Sequence, residues 1–178
     1  MKKIAIAILL STFVAPPAVA DLYTGIKLGR VDYSYSGKTN NGLAGYGLLY
    51  GDTITKNFSV EGEFMTLGGY VNGNANVSST AYSLSAVGFH LAKPQYSLFG
   101  KLGIVSSSLT ATAKAKPGSG QTGSRTIHNI GLTVGFGARY NVSKEVGVRV
   151  GVDIYPVRGG IPNPSAVQMV YVCTVLKF

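Results

Sequence analysis

Two runs within residues 131–155, GLTVGFGARYNVSKEVGVRVGVDIY, alternate strictly between apolar and non-apolar positions across a short turn. Val146, Val148, Val150, Val152 and Ile154 fall on one face of an extended chain. Gly147, Arg149, Gly151, Asp153 and Tyr155 fall on the other, because successive strand side chains point to opposite faces. In the first run Ile130, Leu132, Val134, Phe136, Ala138 and Tyr140 oppose Asn129, Gly131, Thr133, Gly135, Gly137 and Arg139, and residues 141–144 supply Asn and Ser turn chemistry. A soluble sheet would put many Lys and Glu on its water side, since soluble surfaces run at about 25–35% charged residues. Here that side is mostly glycine. Turned inward, it suits the crowded interior of a small barrel whose apolar face meets lipid.

Composition agrees. Of the 178 residues 46% are hydrophobic and 24 are glycine, while only 13% are charged, against about a quarter in an ordinary soluble domain. After the first twenty residues no apolar run approaches the roughly 18 residues of a membrane-spanning helix. Overall hydrophobicity without a continuous apolar run is what alternating membrane strands produce.

Residues 1–20 have the pattern of a cleaved signal peptide. Lys2 and Lys3 form a basic start, residues 4–15 an apolar middle, and Ala18-Val19-Ala20 an A-x-A cleavage site that makes Asp21 the first mature residue. Cleavage removes two lysines and no acids, lowering the formal net charge from +9 to +7. Asp21 is not cysteine, which argues against a lipoprotein. The only cysteine, Cys173, permits no intrachain disulfide and suits a small apolar strand position.

The mature chain, residues 21–178, divides into eight predicted strands: 22–35, 43–53, 58–70, 77–91, 96–110, 127–140, 145–157 and 167–178. Each reaches the 9–11 or so residues that a tilted membrane strand needs. Connections 54–57, 92–95 and 141–144 are short, whereas 36–42, 71–76, 111–126 and 158–166 are longer and rich in Gly, Asn, Ser and Pro. This sorting predicts an all-β fold, one eight-stranded antiparallel up-and-down transmembrane barrel in the outer membrane of a Gram-negative cell. Short turns and both termini then face the periplasm, and the four long loops face outward. Val170, Val172, Thr174, Leu176 and the terminal Phe178 share a face, and a closing aromatic resembles the signal read by the barrel assembly machinery.

Residues 23–29, YTGIKLG, resemble the first strand of the OmpA transmembrane domain, a small eight-stranded outer-membrane barrel. EGEFMTLGGY at 61–70 and YNVSKEVGVRVGVD at 140–153 resemble its third strand and last complete hairpin. OmpA also carries a peptidoglycan-binding domain, which is not expected here, and in length the chain is closer to OmpX-like or Opa-like barrels. The resemblance implies an interior ion-pair cluster, of the kind held to govern a narrow pore in OmpA, with Lys27, Glu63 and Arg149 at matching positions. The sixth-strand acid of that cluster corresponds to Arg139, and the fourth-strand lysine falls near Val87, so the gate does not carry over residue for residue.

An interior cluster is also expected on physical grounds. A Lys or Arg facing lipid at the midplane costs about 2–4 kcal/mol, so Lys27, Lys101, Arg139 and Arg149 should point inward. Glu61, Glu63 and Asp153 are the acids available to pair with them, and buried charges need partners. Eight strands leave just enough room for side chains, which favours a self-satisfied plug over a small gated, porin-like pore.

A second basic set, Lys38, Lys114, Lys116, Arg125 and Arg158, lies in the four long connections, which contain no Asp or Glu. Such a rim suits outer-membrane lipid and lipopolysaccharide phosphates or a sulfated host polyanion, and so a structural, adhesive or ligand-binding role. Nucleic acid is a poor fit, because no stacking platform or recognition helix accompanies the charges. A lipid A-modifying enzyme would draw on His128 with Ser124, Ser106 or Ser107. No carboxylate obviously orients that imidazole, so no catalytic residue, metal or cofactor is expected, and the barrel is expected to be a monomer. His90 belongs at the periplasmic interface. Tyr46, Tyr50, Phe58, Phe64, Phe136, Tyr140 and Phe178 are assigned to the lipid face, several at the heights of interfacial aromatic girdles.

Overall fold

A computed structural model describes residues 21–35, 38–72, 75–93, 95–113, 123–156 and 166–178. The leader assigned to residues 1–20 lies outside them, as do Lys114, Lys116 and Arg158. Eight strands follow one another in chain order: β1 (Asp21–Tyr35), β2 (Lys38–Thr55), β3 (Phe58–Asn72), β4 (Ala75–Lys93), β5 (Tyr96–Ala113), β6 (Ser124–Asn141), β7 (Val146–Tyr155) and β8 (Ala166–Lys177). Each pairs antiparallel with the next. β1 closes the barrel on β8 from Tyr23↔Lys177 to Ser34↔Ala166. Closure gives every strand two hydrogen-bonded neighbours, as a lipid environment requires, with β6 paired to β7 from Val134 to Asn141.

The side-chain period of two divides the strands between the surroundings and the interior. Ile26, Leu28, Leu48, Leu84, Leu98, Leu102, Ile104, Leu132, Phe136 and Val172 point outward and are exposed, as are Tyr46, Tyr50, Phe58, Phe64, Tyr140 and Phe178 of the expected aromatic set. The valines of β7 share this face. On β5 the outward residues stay apolar or glycine from Tyr96 to Ile104 and then become Ser106, Ser108, Thr110 and Thr112. On β6 they change at His128, and on β4 at Thr80. β4 and β5, at 19 and 18 residues, therefore exceed the roughly 9–11 needed to span. Their far ends continue as polar hairpins beyond the apolar band, on the side of the long connections.

These extensions correct two expectations. Lys38 and Arg125, assigned above to loops, are strand residues: Lys38 pairs with Tyr35 and Arg125 with Ala111. The turn-forming composition does not stop the ladder, because β-branched Thr39, Thr110, Thr112 and Thr126 favour extended backbone, and Thr110 Oγ1 lies 3.1 Å from Thr126 Oγ1 across the pair. β7 ends at Tyr155, two residues earlier than expected, at Pro156, which cannot donate to a ladder. The 141–144 turn is held by Ser143 Oγ, which accepts from the backbone N–H groups of Glu145 and Val146.

Several inward glycines lie where neighbouring backbone comes close. A Cβ built on Gly137 would lie 2.2 Å from the Val150 carbonyl oxygen, and one on Gly47 2.1 Å from that of Phe64. Neither obstacle is a flexible side-chain end, so the backbone itself would have to move. Gly137→Ala is expected to lower barrel stability by about 1–3 kcal/mol, the range for overpacking. A lower urea midpoint for the loss of the compact, heat-modifiable gel band would register it, whereas an unchanged midpoint would refute the close approach. At Gly68, φ is 70°, and the β3–β4 register shifts between Thr66 and Gly69, a bulge at a residue free to adopt positive φ.

Candidate functional site

Adjacent strands of a tilted barrel are staggered, so residues from alternate strands reach the same height. Here four odd strands each place one charged side chain in a central ring: Lys27 on β1, Glu63 on β3, Lys101 on β5 and Asp153 on β7. The Lys27 ammonium donates to Glu63 Oε1 and Asp153 Oδ2, both at 2.7 Å. Lys101 donates to Glu63 Oε2 at 2.8 Å and Asp153 Oδ2 at 2.7 Å. All four side chains are at most 1% exposed. Two positive and two negative charges alternate around the ring, so each ion's desolvation is offset by two opposite neighbours. Ser83 donates to Glu63 Oε2 and the Tyr155 hydroxyl to Asp153 Oδ2. The Lys27 ammonium also stands 4.1 Å from the Tyr171 ring centroid, a cation–π distance.

Toward the short-turn end, Arg149 and the Tyr23 hydroxyl both donate to Glu61 Oε1, the tyrosine at 2.5 Å. The Arg149 guanidinium is packed among the rings of Tyr23, Phe89 and Phe99, with centroid distances of 5.1–5.6 Å. Arg139 lies directly across the β6–β7 ladder from Arg149, buried, and joins no ion pair among the described residues.

Toward the long-connection end the interior becomes largely apolar, interrupted by buried Ser79, Ser107 and Thr133. Met65, Ala81, Val105, Tyr155 and Met169 cover the ring, and Val31, Tyr33, Leu67, Val77, Leu109 and Val167 lie above them, each 0–3% exposed. The Tyr33 hydroxyl donates to the Leu67 carbonyl at 2.9 Å, tying β1 to β3 across the barrel. The interior is thus stacked as a basic layer, an ion-pair ring and an apolar layer.

All seven charges assigned to the interior, Lys27, Glu61, Glu63, Lys101, Arg139, Arg149 and Asp153, lie inside the barrel. Parity placed them but gave no role to Tyr23, Ser83, Tyr155 and Tyr171, which share that parity and bond or pack against the charges. Of the basic rim, Arg125 is exposed on β6 and only the backbone of Lys38 is described. The His128 Nδ1 lies 2.7 Å from the Ser108 hydroxyl. Its partner is thus the residue directly opposite on β5, not Ser106, Ser107 or Ser124, and the pair is exposed on the outer face. His90 is exposed at the short-turn end of β4, and the Cys173 thiol is buried inside.

No curated protein sequence matches the chain. Several solved structures do, with identities at which only the fold is comparable. Neisserial surface protein A, NspA, has a TM-score of 0.70 at 15% identity, covering 88% of this chain and 97% of that one. Ail, the attachment invasion locus protein of Yersinia pestis, solved in complex with the heparin analogue sucrose octasulfate, has a TM-score of 0.63 at 17% identity, covering 89% and 99%. The outer membrane protein OprG of Pseudomonas aeruginosa has a TM-score of 0.60 at 13% identity, covering 89% and 96%. The family model of the outer membrane protein beta-barrel domain matches residues 5–171, nearly the whole length. The chain therefore belongs to the outer membrane protein beta-barrel domain family.

Proposed function

We propose that this protein is a closed, non-enzymatic outer-membrane barrel whose work is done at its outer hairpins, through contact with polyanions. The observation that carries this reading is the sealed interior. A ring of four mutually paired charges lies under a largely apolar layer of buried side chains, which favours a plugged barrel and leaves the hairpin ends as the surface for partners. Lys38 and Arg125 lie on the strand ends at this side and Lys114, Lys116 and Arg158 lie between strands, and segments 36–42, 71–76, 111–126 and 158–166 hold no Asp or Glu. A surface of that sign favours phosphate or sulfate groups, whether on lipopolysaccharide or on a sulfated polysaccharide. Ail, a relative in fold, is a protein solved with a sulfated ligand.

In this reading both termini are periplasmic and the barrel acts as a monomer. Phe178, exposed at the end of the closing strand, serves recognition by the barrel assembly machinery. The exposed His128–Ser108 pair has no carboxylate ion-paired to it among the described residues, which favours a surface role over catalysis.

Sucrose octasulfate titrated into the refolded barrel is the test. Lys114→Ala/Lys116→Ala/Arg125→Ala is expected to weaken binding about tenfold, as three exposed contacts worth roughly 0.5 kcal/mol each would. Binding should also fall as salt rises. Absence of binding, or equal binding by the triple variant, would sink the polyanion reading. Discrete openings of the parent barrel in planar bilayers would refute the closed interior.

A further inference from the structure

The short-turn mouth of the barrel contains a cavity of about 260 Å³ with Arg139 in its wall, Lys56 and Lys177 at its rim, and the hydroxyls of Thr53, Ser59 and Ser97 around it. No carboxylate lines it among the described residues. Arg139 is only 7% exposed, yet its Nε and Nη2 have no hydrogen-bond partner among the described residues. Those two atoms form one edge of the guanidinium, the side-on edge that donates two parallel hydrogen bonds to a single oxyanion. Glu61, the acid nearest in this layer, is already held by Arg149 and Tyr23. Arg139 faces the second arginine across the ladder, and Gly147 leaves room for its head, since a Cβ there would come within 3.2 Å of Arg139 Nε. A buried guanidinium with two idle donors is costly unless something completes it.

We propose that this mouth is a binding site for a phosphate group, with the side-on edge of Arg139 as its anchor. A phosphate, with several oxygens and up to two charges, matches the set of one bidentate guanidinium, two rim ammoniums and three hydroxyls better than a carboxylate with two oxygens. At roughly 30 Å³ per water the cavity has room for a phosphate and the first atoms of an ester. The group could come from a lipid headgroup or from a soluble phosphate, and the site is separate from the outer hairpins.

The test uses the full mature barrel refolded in a non-ionic detergent. It is titrated calorimetrically with inorganic phosphate and, separately, with a short-chain phosphatidic acid in the same micelles. One saturable site is expected, with binding weakened tenfold or more by Arg139→Gln, given the worth of hydrogen bonds to charged groups. Lys144→Gln, on the adjacent exposed turn, should leave it unchanged. Response to inorganic phosphate identifies a soluble source, and response to the phosphatidic acid alone identifies a headgroup. Ser97→Asp keeps Arg139 but places a carboxylate directly opposite it on β5, and should abolish binding in a barrel that still shows heat-modifiable migration. Arg139→Gln should also resist urea about as well as the parent, since it removes an unpaired buried charge and, of the described contacts, only the 5.8 Å approach to the Phe89 ring. Absence of saturable binding to either probe, undiminished binding by Arg139→Gln, or undiminished binding by Ser97→Asp would overturn the proposal.

Discussion

Truncating Glu63 to alanine is expected to lower the unfolding free energy of the barrel by about 3–5 kcal/mol, the cost of breaking a buried ion pair by removing one partner. Glu63 belongs at the top of that range because one carboxylate serves two lysines: Oε1 accepts from Lys27 and Oε2 from Lys101, both at most 1% exposed. Without it, Lys27 and Lys101 share Asp153 Oδ2 alone, and the ring carries one uncompensated positive charge. Urea titration of the protein folded in lipid vesicles, followed by the compact-to-extended gel shift, measures the loss. If the damage is charge imbalance and not a missing volume, Glu63→Ala/Lys101→Met should regain most of the stability, because it leaves Lys27 paired with Asp153 under an apolar side chain. A double variant no better than the single one would show that the ring stabilises through packing and would remove its electrostatic account.

That ring also marks how far the sequence could be read. The face of each of the seven interior charges followed from the period of two, which is local: Lys27 has inward parity because Gly25 and Gly29 do, and Arg149 because Gly147 and Gly151 do. Which acid meets which base is set by the stagger between strands, a property of closure that no single strand encodes. Lys27 and Asp153 are 126 positions apart in sequence, and nothing in either segment announces the other. The apolar layer was hidden for a different reason. At Leu67, Leu109 and Val167 the inward residues are more hydrophobic than outward neighbours such as Thr66, Ser108, Thr110 and Gln168, so alternation, the signal that revealed the barrel, inverts where the interior becomes dry. Lys38 and Arg125 were misplaced because Gly, Asn and Ser mark turns only when the hydrogen-bond ladder has ended, and in tall hairpins it had not. Tyr23 and Tyr155 had the right parity but not the charge that draws attention to a residue.

The Glu61–Arg149 pair should behave differently from the ring, and the contrast tests how the interior is organised. Glu61→Ala removes the carboxylate that neutralises the arginine layer, leaving Arg149 and Arg139 side by side across the β6–β7 ladder and the Tyr23 hydroxyl without its acceptor. A loss of about 3–5 kcal/mol is expected, with part of it from the two like charges now facing each other in a low-dielectric interior. Glu61→Leu/Arg149→Met replaces the pair with apolar side chains of similar length in a layer already walled by Phe89 and Phe99. Such a replacement is often neutral or stabilising, so the double variant should unfold within about 1 kcal/mol of the parent. In the ring the exchange is less complete, because each charge has two partners and removing Glu63 with Lys101 leaves Lys27 and Asp153 one ion pair where each had two. If the double variant at Glu61 and Arg149 instead loses as much as Glu61→Ala alone, the pair holds the barrel shut through its geometry, and the arginine layer must be counted with the ring as one cooperative network.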